Sequence, residues 1–218
     1  MAERVVDIKQ REVWGKIAPY WNNYRSESWR DVKKFIAELL KDKSGKEKKR
    51  NVLEVGCGNA RNLISFAKEK WGCFGIDFAP AMIKEAEKNA LKNKVKIYFK
   101  IDNITKLPYK DAQFEVVLCI AVLHCLKKEQ QKKVLKEIFM VLKNKGKLLI
   151  SVWNRSSKNK EEYISWNAGN NKVKRYYYFF DRKELSDMLE EAGFEVLKEE
   201  TGRNIMFLCQ KPLKQKHL

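Results

Sequence analysis

Short apolar segments alternate with segments of helical length between residues 51 and 153, and this alternation constrains the fold more than any other feature. The hydrophobic periodicity predicts five strands, at residues 51–55, 73–77, 95–101, 114–120 and 147–153. It predicts helices between them at residues 61–70, 79–91 and 129–142. Because strands separated by helices of this length form βαβ units, we expect an α/β fold with a mainly parallel sheet.

Two amphipathic segments precede this core. Residues 13–24 and 29–40 predict two helices, divided near residues 26–28 (Ser-Glu-Ser), where a serine can cap the second helix. Residues 41–50 are hydrophilic and predict a connector.

A different pattern follows the core. Residues 155–174 are polar and rich in asparagine, which predicts a loop or a small insertion. Asp181 is a suitable N-cap for a helix that runs to Glu191, with Gly193 at its C-cap. Residues 194–200 and 204–210 predict two strands of a hairpin. We therefore expect a single domain over residues 1–218.

The charge balance favours a negatively charged partner. The chain has 46 lysines and arginines against 28 aspartates and glutamates, and this net charge of +18 is spread over its whole length. Such a field attracts nucleic acid or an acidic membrane surface. A lysine-rich surface is also typical of proteins adapted to heat, so composition leaves that alternative open.

Composition also bears on location and on metals. The longest apolar stretch, residues 116–123, is too short to cross a bilayer, and the charged N-terminus carries no secretory signal. We therefore expect a cytoplasmic protein. The five cysteines form no C-x-x-C pair and there are only two histidines, so we expect free, mostly buried thiols and no metal site.

A glycine pair lies directly after the first predicted strand. Gly56 allows a tight turn, and Gly58 lets the backbone approach a ligand closely. Asp77 ends the second strand, where its carboxylate can accept hydrogen bonds from both hydroxyls of a ribose. Asp102 and Asn103 follow the third strand and offer hydrogen-bonding groups to an adenine edge. Since ligands of open α/β sheets bind at this edge, the pattern predicts a nucleoside site.

The spacing argues against a dinucleotide. A dinucleotide fingerprint needs a third glycine at position 61, where this chain has Arg61. Polar groups at the ends of three successive strands fit an adenosine without a pyrophosphate.

These residues resemble the class I S-adenosylmethionine-dependent methyltransferases over roughly residues 50–211. The resemblance implies a Rossmann-like, seven-stranded, mostly parallel sheet whose final hairpin contains one antiparallel strand. It divides the domain into an N-terminal helical lid (1–49), a cofactor-binding core (50–153) and a substrate-side region (154–218). Ala60 replaces the last glycine of the family motif. The cofactor-binding residues that the resemblance implies are Tyr20, Glu54, Gly56, Cys57, Gly58, Asn59, Asp77, Phe78, Asp102, Asn103, Ile104, Ile120 and Ala121.

The segment after the fourth strand argues against two kinds of base methylation. Amino-group methyltransferases of nucleic acids have an Asn/Asp-Pro-Pro-Tyr/Phe turn there, whereas residues 119–125 contain no proline and no aromatic residue other than histidine. Methylation of pyrimidine C5 needs a cysteine in a Pro-Cys setting, which Cys119 and Cys125 lack. An oxygen acceptor remains, and a carboxylate attacks a sulfonium methyl group without a general base.

Three further motifs resemble the tRNA wobble-uridine carboxymethyl methyltransferases, over nearly the whole chain. The first is residues 17–21 (Ile-Ala-Pro-Tyr-Trp), followed by Arg25 and Trp29. The second is residues 120–124 (Ile-Ala-Val-Leu-His), and the third is residues 175–178 (Arg-Tyr-Tyr-Tyr). The resemblance implies methylation of the carboxylate of a 5-carboxymethyl group on uridine 34 of tRNA. It also implies that the catalytic residues are Arg25, His124, Arg175 and Tyr177.

The chain departs from that family at two positions. The second histidine of the family is Cys125 here, and the tryptophan of its last strand is Ile205. Plainer interpretations also remain open for the catalytic candidates. Arg25 is also typical of an exposed helix end, His124 of a histidine beneath the cofactor, and the aromatic run 176–180 of strand packing.

The third predicted strand suggests a partner. Residues 95–101, from Val95 to Ile101, form an edge strand in this fold, and the family resemblance implies a small zinc-binding activator that pairs with it. The alternative is an edge protected by Lys94, Lys96 and Lys100.

Two other functions compete with this one. The first is methylation of a small molecule, such as a quinone precursor or a metabolite carboxylate. The second is a catalytically inactive RNA-binding module that has kept the Rossmann-like fold.

Overall fold

A computed structural model describes residues 8–41, 50–155 and 157–213. Its strands are β1 (Asn51–Val55), β2 (Gly72–Asp77), β3 (Tyr98–Ile101), β4 (Phe114–Ile120), β5 (Leu142–Trp153), β6 (Glu161–Ala168), β7 (Asn171–Tyr178), β8 (Glu195–Thr201) and β9 (Asn204–Gln210). Seven of them form one sheet in the order β3-β2-β1-β4-β5-β9-β8. The first five are parallel, and β9 runs antiparallel to both its neighbours. The predicted α/β fold is confirmed.

Helices cover both faces of this sheet. They are α1 (Ile8–Tyr24), α2 (Arg30–Lys41), α3 (Leu63–Lys68), α4 (Pro80–Lys92), α5 (Lys128–Val141) and α6 (Arg182–Glu191). The apolar faces of α5 and α6 pack on one side of the sheet, and those of α2 and α3 pack on the other. None of the helices in the described residues is long and apolar enough to span a membrane.

Helix α1 lies apart from these layers. Its buried residues Ile17 and Ala18 pack with Met82 of α4 and with Ala168 and Val173 of the β6–β7 hairpin. The helix therefore bridges α4 and the β6–β7 hairpin.

The predicted helix ends are partly confirmed. The carboxylate of Asp181 accepts a hydrogen bond from the Glu184 N–H at 2.8 Å, and Gly193 adopts φ +93° just after α6. The serine cap of α2 stays a prediction. The hydroxyl of Ser28 donates to the carbonyl of Arg61 at 3.4 Å, so it ties the start of α2 to the loop after β1.

The region expected to be a loop or small insertion is a regular hairpin. Strands β6 and β7 pair from Glu161 opposite Tyr178 to Ala168 opposite Asn171. Their turn requires a glycine, because Gly169 has φ +60° and a Cβ atom there would lie 2.3 Å from the Tyr20 hydroxyl.

The edge strand is shorter than predicted. Pairing with β2 begins at Tyr98, and residues 95–97 lie outside the strand. Lys94 adopts φ +55° and the Val95 N–H donates to the carbonyl of Ala90, so the chain is still bound to the end of α4 there.

Candidate functional site

A cavity of about 240 Å³ opens at the carboxyl ends of β1, β2 and β4. Its floor is the loop after β1, and its walls are α1, the end of β4 and the β6–β7 hairpin. Most residues proposed from the sequence lie around it, namely Arg25, Glu54, Gly56, Cys57, Gly58, Asn59, Asp77, Phe78, Asn103, Ile104, Ile120, Ala121, His124, Arg175 and Tyr177.

The glycine loop adopts a left-handed backbone. Gly56 has φ +66°, and a Cβ atom on it would lie 2.5 Å from Cγ2 of Val122, so glycine is required there. Ala60, which replaces the last glycine of the motif, keeps a left-handed φ of +56°. The loop therefore retains the glycine conformation despite the substitution.

Asp77 is fixed at the edge of the cavity by the backbone. Its two carboxylate oxygens accept hydrogen bonds from the N–H groups of Gly58 and Ala79, both at 3.0 Å. Burial raises the pKa of Asp77 to about 6, against these hydrogen bonds, which lower it. At neutral pH the group is therefore an oriented, mostly ionised acceptor suited to hydroxyl donors.

Glu54 lies beneath the loop and is protonated at neutral pH. Asn62 donates to its Oε1 at 2.6 Å, whereas its buried Oε2 has no hydrogen-bond partner among the described residues. Burial raises the pKa of Glu54 to about 8. A cationic ligand group next to it would lower that pKa and release a proton.

Two candidates from the sequence lie outside the cavity wall. Tyr20 is exposed and its hydroxyl lies at the Gly169 turn, because α1 directs it towards the hairpin. Asp102 accepts from the N–H of its neighbour Asn103 at 2.8 Å, and of that pair Asn103 lines the cavity.

Two arginines, Arg25 and Arg175, line the cavity. The guanidinium carbon of Arg175 lies 5.1–5.8 Å from the ring centres of Trp14, Trp166 and Tyr177. Arg175 is 6% exposed and its buried Nε has no hydrogen-bond partner among the described residues. Burial lowers the pKa of Arg25, and the positive charges of Arg203 and Arg175 lower it further. A cavity with this much positive charge is suited to an anion.

His124 is a buried neutral donor in the structure. The Trp153 N–H donates to its Nδ1 at 3.2 Å, which places the proton of the neutral ring on Nε2. Its ring lies near those of Tyr177 and Trp153, at centroid distances of 5.2 Å and 5.8 Å. Burial, reinforced by the charge of Arg175, lowers the pKa of His124 to about 3, so it is a poor base at neutral pH.

Asn59 connects the glycine loop to α1. Its Nδ2 donates to Oδ1 of Asn22 at 2.6 Å and to the carbonyl of Arg25 at 2.8 Å. Nη1 of Arg61 donates to the same carbonyl at 3.2 Å. The side-chain amide of Asn59 therefore contacts α1 and the residue just after it, whereas the sequence analysis assigned Asn59 only to the cofactor-binding set.

Five tryptophans that line the cavity were not proposed as site residues, namely Trp14, Trp21, Trp29, Trp153 and Trp166. Trp14 and Trp21 are seven residues apart on α1 and so share a face, a signal that the sequence contained. Trp153 and Trp166 come from β5 and β6, and only the tertiary structure brings them to the same wall.

The comparisons with known proteins agree with this geometry. The family model of the methyltransferase domain matches residues 20–199. The chain belongs to this family.

Two relatives and one solved structure are similar to this methyltransferase over most of its length. It is 25% identical to the tRNA (carboxymethyluridine(34)-5-O)-methyltransferase of Schizosaccharomyces pombe, covering 86% of this chain and 89% of the relative. It is 27% identical to the Mus musculus protein named "Probable tRNA methyltransferase 9B" over 77% of this chain, which spans only 36% of that relative. The 1,6-didemethyltoxoflavin-N1-methyltransferase of Burkholderia thailandensis, solved with S-adenosylhomocysteine, has the same fold, with a TM-score of 0.72 at 17% identity over 94% of this chain and 88% of that one.

The cavity of this methyltransferase fits S-adenosylmethionine, the cofactor of its fold class. Asp77 would supply an acceptor for the ribose hydroxyls, and Asn103, which also lines the cavity, would face the adenine. Glu54 lines the cavity, and its Oε2 has no hydrogen-bond partner among the described residues. This oxygen would accept a hydrogen bond from the ammonium of the methionyl group. When bound, the cofactor supplies a methyl group carried on a sulfonium.

Proposed function

We propose that this methyltransferase esterifies the carboxylate of a 5-carboxymethyl side chain on uridine 34 of tRNA. The observation that carries the proposal is Arg175, a buried guanidinium in the cavity with no carboxylate within ion-pair distance among the described residues. An uncompensated buried cation is unfavourable, so its presence favours an anionic ligand.

The pKa values of His124, Cys119 and Cys125 also favour a carboxylate acceptor. A carboxylate is already ionised at neutral pH, so it needs alignment and not proton removal. His124 is a hydrogen-bond donor with a pKa of about 3. Burial raises the pKa of the Cys119 and Cys125 thiols to about 12, so neither supplies the thiolate that pyrimidine C5 methylation requires.

The walls of the cavity support a nucleobase as the carrier of that carboxylate. Trp153 and Tyr177 stack at 4.7 Å with an interplanar angle of 6°, and Trp21 and Trp166 also line the cavity. Aromatic side chains of this kind stack on unpaired bases of RNA loops. The net charge of +18 and the name of the fission yeast relative favour tRNA.

Each catalytic candidate then has a role of its own. Arg175 and Arg25 hold the carboxylate. A guanidinium that donates to both oxygens uses one lone pair of each, so the second lone pair of an oxygen stays free to attack the methyl group. His124 donates from Nε2 to the acceptor, and Tyr177 keeps the imidazole in place by stacking. The lid α1 excludes water from the reacting atoms.

The experiment that tests this proposal is transfer of a labelled methyl group to tRNA that lacks the wobble ester, followed by nucleoside mass spectrometry. We expect the methyl ester of 5-carboxymethyluridine. Label in a different nucleoside would overturn the acceptor assignment. Cofactor binding without any transfer to RNA would favour a small-molecule acceptor.

We also propose that β3 pairs with a small zinc-binding activator. This strand is the sheet edge, and Tyr98 and Ile101 are about half exposed on it. Co-expression with such a protein and gel filtration should give a heterodimer that Ile101→Lys disrupts. An unchanged complex with that variant would move the interface elsewhere.

A further inference from the structure

Two exposed arginines lie together at the end of the sheet beside the cavity. Trp153, a cavity residue, ends β5 and pairs with Asn204 at the start of β9. The next residue, Asn154, donates from its N–H to the carbonyl of Arg203 at 3.2 Å and from Nδ2 to that of Gly202 at 2.8 Å. Arg155 follows directly. We call Arg155 and Arg203 the arginine rim.

The positive charges of the rim are not compensated by a carboxylate of the described residues. Neither arginine has a carboxylate within ion-pair distance among the described residues, and the guanidinium of Arg155 rests over the ring of Phe179 at 5.6 Å. On α6, by contrast, Arg182 pairs with Glu199 at 2.7 Å and Lys183 pairs with Asp187 at 2.7 Å. The charges of α6 are therefore compensated within the protein, whereas those of the rim are available to a ligand.

The position of the rim relates it to the cavity. Arg203 is close enough to Arg25 that its charge lowers the pKa of that residue, next after burial itself. Arg25 and Arg175 lie within the cavity, while Arg155 and Arg203 are exposed at its border. The site thus has an inner pair of cations for a small anion and an outer pair for something larger.

We propose that the arginine rim binds backbone phosphates of the RNA next to the nucleotide whose base enters the cavity. This inference rests on the proposed tRNA acceptor. A nucleotide that turns into an active site leaves its flanking phosphates at the mouth, and arginine binds phosphate through two parallel hydrogen bonds. The backbone pairing of Trp153 with Asn204 holds the rim at a fixed distance from the cavity, and this sets the distance between phosphate and base.

The test compares two double variants that each remove two positive charges. The rim variant is Arg155→Ala with Arg203→Ala, and the matched control on α6 is Arg182→Ala with Lys183→Ala. Binding of an unmodified anticodon stem-loop RNA is measured by fluorescence anisotropy at several salt concentrations. We expect the rim variant to bind at least about five-fold more weakly and to reduce the salt slope by about one to two, and the control to bind within about two-fold of the wild type. An equal loss of RNA affinity in both variants, or no loss in the rim variant, would contradict the proposal that the rim binds phosphates.

A kinetic arm separates this inference from the proposed function. The kcat/KM is measured for an RNA carrying 5-carboxymethyluridine and for the free nucleoside. We expect the value for the RNA divided by the value for the nucleoside to fall at least about five-fold in the rim variant only. If the wild type binds RNA through the rim but methylates neither substrate, the proposed function fails and the rim stands. If it methylates the RNA and the ratio is unchanged, the rim fails and the function stands. Thermal unfolding of both variants establishes that they are folded.

Discussion

At the scale of single residues, we expect Arg175 to lower the stability of the unliganded protein and to strengthen binding of the anionic acceptor. A buried guanidinium without an anion destabilises the unliganded protein, although its three aromatic neighbours offset part of this. We expect Arg175→Met to increase the free energy of unfolding by about 1 kcal/mol and to lower kcat/KM at least about 100-fold. Urea unfolding and the methyl-transfer assay measure the two effects, with the paired surface residue Arg182→Met as control. A destabilised variant that retains transfer would contradict the assigned role.

His124 is the second residue whose ionisation state matters. Burial and the charge of Arg175 favour the neutral ring, and the Trp153 N–H on Nδ1 fixes the proton on Nε2. We expect a long-range ¹H–¹⁵N spectrum to show this tautomer unchanged between pH 8 and about pH 5, below the usual histidine pKa. The chain has one other histidine, His217, which serves as an internal comparison. A titration of His124 near pH 6.5 would show that the ring is hydrated and able to act as a base.

At the scale of elements, the link between the glycine loop and α1 makes a separable prediction. The amide of Asn59 donates to Asn22 and to the carbonyl of Arg25, so it positions the acceptor-binding arginine through the backbone. We expect Asn59→Ala to lower kcat/KM for the acceptor about ten-fold and to change cofactor affinity by less than about three-fold. Asn89→Ala is the control, because it removes the donor to the Asn59 carbonyl and leaves the amide in place. Equal losses of cofactor and acceptor binding would instead indicate that the loop has collapsed.

The elements also show how far the sequence was sufficient. The core strands and the glycine loop follow from local patterns, since burial on both faces requires continuous apolar runs and the turn requires Gly56. The β6–β7 hairpin was missed because Tyr163 and Trp166 lie among polar residues, and the inner face exists only once it packs on α1. The side-chain direction of Tyr20 likewise depends on its contact with the hairpin turn at Gly169, and the sequence around Tyr20 does not indicate this contact.

At the scale of the whole molecule, the buried ionisable groups of the cavity govern how stability responds to pH. His124, with its pKa lowered from 6.5, contributes stability that is complete above pH 6.5 and is lost as the pH falls. Asp77 and Glu54 have raised pKa values, so their contributions are complete at low pH. The contribution of Asp77 is lost by about pH 6 and that of Glu54 by about pH 8. Of these three groups, only Glu54 therefore changes between pH 6.5 and pH 8.

This interval allows a test with one isosteric substitution. We expect the free energy of unfolding of the wild type to fall by about 1–2 kcal/mol between pH 6.5 and pH 8, because the folded protein must ionise Glu54 in a buried site. Glu54→Gln keeps an oxygen for the Asn62 amide and cannot ionise, so its free energy of unfolding should stay level. Urea unfolding at several pH values, with unchanged denaturant dependence, measures both. A parallel fall in the two proteins would assign the pH dependence to other groups. Glu54 would then already be ionised in the unliganded protein, and the ammonium of the cofactor would not be needed to compensate its charge.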